Sequence, residues 1–341
     1  MKDIRIYQKS IMRKIIRRND FERKRNEVRN RRKKTEKTEF EDYHNPYTSA
    51  KLPNDFRIEN IEEVLAFLNK TSRRCSPTYI RHIFFYMQEI QKIDIYAICL
   101  LLSLVNRLSK RISCAGSYPL DLNVRNIFID SGFLSLTKTN LRRKHEAKYP
   151  NMMYVIGSDS VDGKRIGMSI KETMKRVVGI ECHFAPVYEI MIEISSNSVE
   201  HSNDVDSEKN WLVSISYEKD KAHFLMTDTG SGILKTLSKK KLEIFKDVVS
   251  FKNNAKVLVG VFNKEYQSCT GEINRHKGLP MVMETFKLGY ISDLKVLTNN
   301  VFYDFEKDNS IILTNEFHGT MFSWTISNNN FQLWQKQNCC A

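Results

Sequence analysis

The chain has 341 residues, enough for two ordinary domains, with the apolar and aromatic content of a globular protein. Its formal net charge is +14, of which residues 1–37 hold +11 (sixteen Lys and Arg against five Asp and Glu), so basicity belongs to the amino-terminal extension. No apolar run approaches the roughly eighteen residues of a membrane span, the opening Met1-Lys-Asp-Ile-Arg5 has no apolar signal core, and seven scattered cysteines form no Cys-x-x-Cys pair. A cytoplasmic chain without a disulfide framework or zinc site is expected.

Residues 4–37 predict a helix, because Ile4, Tyr7, Ile11, Met12, Ile15 and Ile16 recur at helical spacing among Arg and Lys. Residues 38–53, with Asn45, Pro46 and Pro53, read as a linker that closes a basic extension over 1–53. Residues 54–140 read as a small α/β domain. Its elements are a strand at 56–58, a helix at 61–69, a strand at 83–87, a long apolar helix at 95–108, a strand at 112–115 and a short helix at 124–131 capped by Gly132. Residues 141–182 read as a transition, with basic Arg142-Arg-Lys144 and loop glycines Gly157 and Gly163.

The third region, 183–328, begins with a helix at 183–202 whose apolar stripe is Val187, Ile190, Met191 and Ile194. Strands at 211–217 and 222–227 alternate and are joined by a turn at Glu218-Lys-Asp220. A helix at 279–288 and strands at 294–297, 301–305, 310–315 and 320–326 follow, then a short tail from 329 to 341. The expected fold class is α/β (α+β): a basic amino-terminal helix, a small α/β domain, and a sandwich with three helices over one face of a mixed sheet. No internal repeat or low-complexity tract appears.

Three short segments carry the candidate chemistry. Glu193 and Asn197 stand at i and i+4 on one helix face, which His201 continues. An amide oxygen such as that of Asn197 can ligate Mg²⁺, and a carboxylate one turn earlier can orient water for attack on a terminal phosphate. Asp228-Thr-Gly230-Ser-Gly232-Ile233 follows, where a carboxylate at a strand end can accept from the exocyclic amine of adenine and the glycines admit a flat base. Lys277-Gly278-Leu279-Pro280 then opens a helix whose first amides can face phosphate oxygens, with Asn274, Arg275 and His276 as further donors.

Together these segments resemble the histidine-kinase-like ATPase superfamily (GHKL) over residues 183–328. The resemblance implies that Glu193 is the general base, that Asn197 binds Mg²⁺, and that Asp228 holds adenine. Gly230, Gly232 and Gly278 match pocket glycines, with Ile233, Lys277 and Leu279 beside them. Gly319-Thr320 resembles the family's Gly-Thr, whose hydroxyl supports the adenine-binding Asp. The second glycine motif departs from Gly-x-Gly-Leu, with His276 in place of its first Gly. Residues 234–277, with Lys239-Lys-Lys241 and a helical stretch at 242–249, read as a lid over the triphosphate. Residues 54–140 resemble a STAS-like domain through Ile83-Phe-Phe-Tyr-Met87, Ile93-Asp94 and the stretch from Asn123 to Phe133. That family's phosphorylatable Ser follows the Asp that begins the helix, and here Asp94 is followed by Ile95.

The resemblance implies a Mg²⁺-dependent ATP-binding protein: a slow ATPase acting as a nucleotide-gated switch in bacterial regulation or defence. The alternatives are an anti-sigma-type kinase acting on a separate partner and a nucleic-acid-associated ATPase using residues 1–37. Expected cofactors are ATP and Mg²⁺. Expected partners are a protein engaged through the STAS-like domain, nucleic acid through the basic arm, and a second copy of the chain in a homodimer.

Overall fold

The protein is an α/β structure, described by a computed structural model for residues 45–131, 133, 152–157, 160–200, 211–228, 230–241, 254–265 and 278–338. The helices expected at 4–37 and 242–249, Gly132, and Arg142 to Lys144 lie outside the described residues. No helix among the described residues is long and apolar enough to cross a membrane.

The amino-terminal unit is built on three parallel strands in the order β1-β3-β5: β1 (Tyr47–Lys51), β3 (His82–Tyr86) and β5 (Ser113–Gly116). The stretch read as a linker therefore supplies the first strand of this sheet. Pro46 does not break it, because the Pro46 carbonyl accepts from the amides of Arg81 and His82 just before pairing begins. The expected first strand is only a two-residue bridge, β2 (Asp55–Phe56), paired with β4 (Lys92–Ile93). Parallel neighbours need crossover helices. These are α1 (Ile61–Cys75) and α2 (Ile95–Ser109), followed by α3 (Leu122–Asp130). Asp94 begins α2, its carboxylate accepting from the amides of Ala97 at 2.8 Å and Ile58 at 2.6 Å.

The second sheet has five strands in the order β6-β7-β8-β10-β9: β6 (Met152–Gly157), β7 (Trp211–Glu218), β8 (Lys221–Asp228), β9 (Ser292–Asp304) and β10 (Asn309–Ser327). It is antiparallel throughout, not mixed. The transition segment supplies its edge strand β6 and helix α4 (Gly163–Val177). The four short strands expected after residue 290 are two long ones. Their register shifts at Ile312/Phe317 and Phe317/Thr320 account for the polar breaks in the sequence pattern.

Helices α4, α5 (Ala185–Glu200), α7 (Asn254–Phe262) and α8 (Gly278–Lys287) share one core with Val213, Phe224, Met226, Phe322 and Trp324 from one face of this sheet. Leu212, Leu225, Leu297 and Met321 point the other way, into the core formed by α1, α2 and the three-stranded sheet. Both faces are thus covered, where one was expected. Period-two alternation appears as near-continuous burial because each side meets a different apolar layer. Within residues 234–277, α6 (Ile233–Lys241) is followed by α7, whose Leu258 and Phe262 are buried. That part of the expected lid is core structure. The tail is also structured: α9 (Asn328–Asn338) places Phe331 and Trp334 edge-on against Phe184.

Burial pushes the Asp94 carboxyl up to about 6, against the opposing pull of the Ala97 and Ile58 amides. Unfolded, it titrates near about pH 4. Between those values the folded chain binds the extra proton, so this contribution favours folding at low pH and is lost as pH rises to about 6. Asp94→Asn keeps a capping oxygen and removes the titration. Relative to wild type, its stability should rise by about 2 kcal/mol between about pH 4 and pH 7, read from denaturant melts at both.

Candidate functional site

The site forms where α5 crosses the end of β8. Apolar Val187, Ile190, Met191 and Ile194 seat α5 on the sheet, and this carries the end of the same stripe over the β8 terminus. Ser198 continues that stripe one turn beyond Ile194, and Glu193 and Asn197 flank it. Asn197 Nδ2 lies 3.5 Å from Glu193 Oε1, which turns the Asn197 carbonyl oxygen away from the carboxylate. The Ser198 hydroxyl lies 2.9 Å from the Ile194 carbonyl oxygen and 3.3 Å from Asp228 Oδ2.

Asp228 is the centre of the arrangement. Its Oδ1 accepts from the Gly230 amide at 2.8 Å and from the Thr320 amide at 3.0 Å. Burial pushes the Asp228 carboxyl up; the amides of Gly230 and Thr320 and the Ser198 hydroxyl pull against that shift by favouring the charged form. The Thr320 contribution was expected from its hydroxyl. The structure puts the Thr320 amide on Asp228 instead, with the hydroxyl 3.5 Å from Thr298 Oγ1. Gly319 makes this approach attainable. Its φ is +132°, and a Cβ there would fall 2.1 Å from the Asp228 carbonyl oxygen.

The remaining expected residues distribute as follows. Gly278 begins α8 against Glu193, and a Cβ on it would fall 2.3 Å from Glu193 Oε1, so only glycine admits the carboxylate there. Leu279 packs on the core beside it, as does Ile233 at the start of α6. Lys277 and His201 lie outside the described residues. Gly232 has φ +82°, and a Cβ there would meet Asn299 Oδ1 at 2.5 Å. The structure therefore brings Glu193, Asn197, Asp228, Gly230, Gly278 and Thr320 to one place.

Sequence reasoning missed Thr298 and Asn299, which hold the glycine turn from β9. Thr298 Oγ1 accepts from the Ile233 amide at 2.9 Å, and Asn299 Oδ1 accepts from the Leu234 amide at 3.0 Å. Asn299 Nδ2 donates to the Ser231 carbonyl at 2.9 Å. The amino terminus of α6 is thus capped by a distant strand, and the Ile233 and Leu234 amides are engaged within the protein. Asn299 itself is buried with φ +52°, at a register shift of β9. The polar triplet Thr298-Asn-Asn300 inside an otherwise apolar strand was the available signal. Ser198, directly after Asn197, was the other omission.

An acceptor oxygen at a glycine-lined strand end, a carboxylate, and an amide oxygen one helical turn from it are hard-oxygen and hydrogen-bonding groups of the kind that suit a purine base and a metal-bound phosphate. Among the described residues no three or more His, Cys, Asp and Glu side chains gather so that they could hold a metal ion. A scan against protein-family models finds no match, and a search of the curated proteins finds none.

The Gly232–Asn299 contact has a measurable consequence. Gly232→Ala should cost about 1–3 kcal/mol through left-handed strain and the clash, read by urea unfolding. Asn299→Ala removes the clash, so the double substitution should cost less than the sum of the singles by about 1 kcal/mol. Strict additivity would show that the two residues do not meet.

Proposed function

We propose that this chain binds ATP with Mg²⁺ and turns it over slowly, as a nucleotide-gated switch of the histidine-kinase-like ATPase class. The observation that carries the reading is the division of labour at Asp228. One oxygen is taken by two backbone amides, and the other lies on the Ser198 side, where a ligand amine can add to the hydroxyl. A carboxylate oriented in this way accepts from the exocyclic amine of adenine and repels the carbonyl at the same position of guanine.

The other groups take roles by reach from that point. Asn197, on the same helix as Ser198, would hold the ion through its side-chain oxygen, the one not facing Glu193. When bound, Mg²⁺ neutralises charge on the phosphates and favours attack at the terminal one. Glu193 would take the proton of the attacking water, since its carboxylate stands one turn from Asn197 and against the first residue of α8. The α8 amino terminus would face phosphate oxygens. The STAS-like reading of the amino-terminal unit supports a switch role, because that unit shares its core with the far face of the same sheet.

Calorimetry and phosphate release test the proposal. ATP should bind and GTP should bind at least about tenfold more weakly, and Asp228→Asn should abolish ATP binding by replacing an acceptor with a donor. Glu193→Ala should bind ATP within a few-fold of wild type while losing about 10²–10⁴ in turnover. Equal turnover in the Glu193→Ala protein would reduce the chain to a binding module. Unchanged ATP affinity in Asp228→Asn would remove the adenine assignment. The affinity should also fall on acidification, because protonated Asp228 becomes a donor facing a donor.

A further inference from the structure

Strand β10 is covered unevenly along its length. Residues 321–325 lie between β8 and β9. Residues 309–312 pair with residues 301–304 of β9 on one side, and no strand among the described residues lies along the other. In an antiparallel pair every second residue turns its N–H and C=O away from its partner, so this stretch is an open edge. The residues that follow show how the fold closes such an edge elsewhere. Glu62 of α1 accepts from the amides of Thr314 and Asn315, and Asn69 donates to the Glu316 carbonyl. Among the described residues that cover reaches no further towards the start of β10 than Thr314.

The open stretch is apolar where strand edges are normally guarded. Lys and Pro keep natural edges from pairing with other chains, and residues 309–312 read Asn-Ser-Ile-Ile. Consecutive side chains of a strand point to opposite faces, so Ile311 extends the face of Phe302 and Ile312 that of Val301. Both are large and apolar, yet Ile311 is 45% and Ile312 43% exposed, because the sheet stops beside them. Acidic groups bracket the stretch. Glu306 and Asp308 stand in the turn that leads into it, and Glu59 and Glu63 lie on either side of Glu62 in the sequence; all four are exposed. Against them stand Lys307 in the same turn and Arg57, which is bonded to Asp55 and lies 3.9 Å from Glu59.

We infer that residues 309–312 receive an extended basic segment of a partner protein, added to the sheet as one more strand. Pairing of the backbones supplies the attraction. Two consecutive apolar residues of that segment cover Ile311 and Ile312 on the two faces, and Lys or Arg on either side of them meets the acidic groups at the two ends of the edge. A second copy of this chain fits less well, because antiparallel self-pairing sets the acidic turn of one copy beside the acidic start of α1 in the other. The surface uses none of the residues assigned to ATP, and stands or falls independently of that assignment.

Fluorescence anisotropy of the full chain with a labelled peptide of about eight residues, a Val-Ile pair set between Lys residues, tests the inference. The Lys peptide should bind at least about tenfold more tightly than the same peptide with Glu in place of Lys, and N-methylation of its backbone amides should weaken it about tenfold or more. Ile311→Lys with Ile312→Lys should also weaken it about tenfold or more. If that double substitution lowers the melting temperature, Glu63→Gln with Glu306→Gln decides, and should weaken the Lys peptide about threefold or more. No binding of the Lys peptide at about 1 mM, equal affinity for the Lys and Glu peptides, or indifference to N-methylation would overturn the inference. So would a dimer of the chain, seen by sedimentation, that Ile311→Lys with Ile312→Lys dissolves, since the edge would then belong to a second copy.

Discussion

A carboxylate at the end of a buried strand has to be satisfied, and at Asp228 three separate elements satisfy it. The helix α5 brings Ser198, the turn after β8 brings the Gly230 amide, and β10 brings the Thr320 amide. Removing any of them would leave a desolvated acceptor short of a donor, which costs more than the hydrogen bond itself is worth. The rest of the site follows from this constraint. Gly319 must lack a side chain for β10 to come close enough, and α5 must cross at the height that also places Glu193 against Gly278.

The same stretch of β10 ties the site to the amino-terminal unit. Before reaching Gly319, the strand leaves its register with β9, and α1 occupies the freed groups. Glu62 accepts from the amides of Thr314 and Asn315, and Asn69 donates to the Glu316 carbonyl at 2.8 Å. Burial would raise the Glu62 carboxyl, but those donors outweigh it and hold the carboxyl below its usual range. Glu316 in turn pairs with Lys235 in the first turn of α6 at 2.5 Å. Backbone groups freed by the bulge are therefore spent on joining two layers, and Asp228 and Glu62 hold residues only six positions apart on one strand.

Much of this was legible in the sequence. The apolar helix at Ile95–Ser109, the hairpin of β7 and β8, and the pairing of Glu193 with Asn197 follow from spacing that physics constrains locally, whereas the approach of Asp228 and Gly278 to α5 was expected only from the family resemblance. The parts that escaped were set by distant partners. A Pro-containing segment is a strand only because β3 lies beside it to accept pairing, and β6 is a strand only because β7 supplies an edge. Residues Thr298 and Asn299 look like interruptions until the glycine turn they cap, more than sixty positions earlier, is brought against them. The Thr320 hydroxyl and amide are indistinguishable in a sequence, and only the approach at Gly319 selects the amide.

The most direct measurement is a crystal structure of the chain with Mg²⁺ and a non-hydrolysable ATP analogue. The account requires the exocyclic amine of adenine on Asp228 Oδ2, beside the Ser198 hydroxyl, while Oδ1 keeps the amides of Gly230 and Thr320. A nucleotide bound elsewhere, or an adenine turned away from that oxygen, would contradict it.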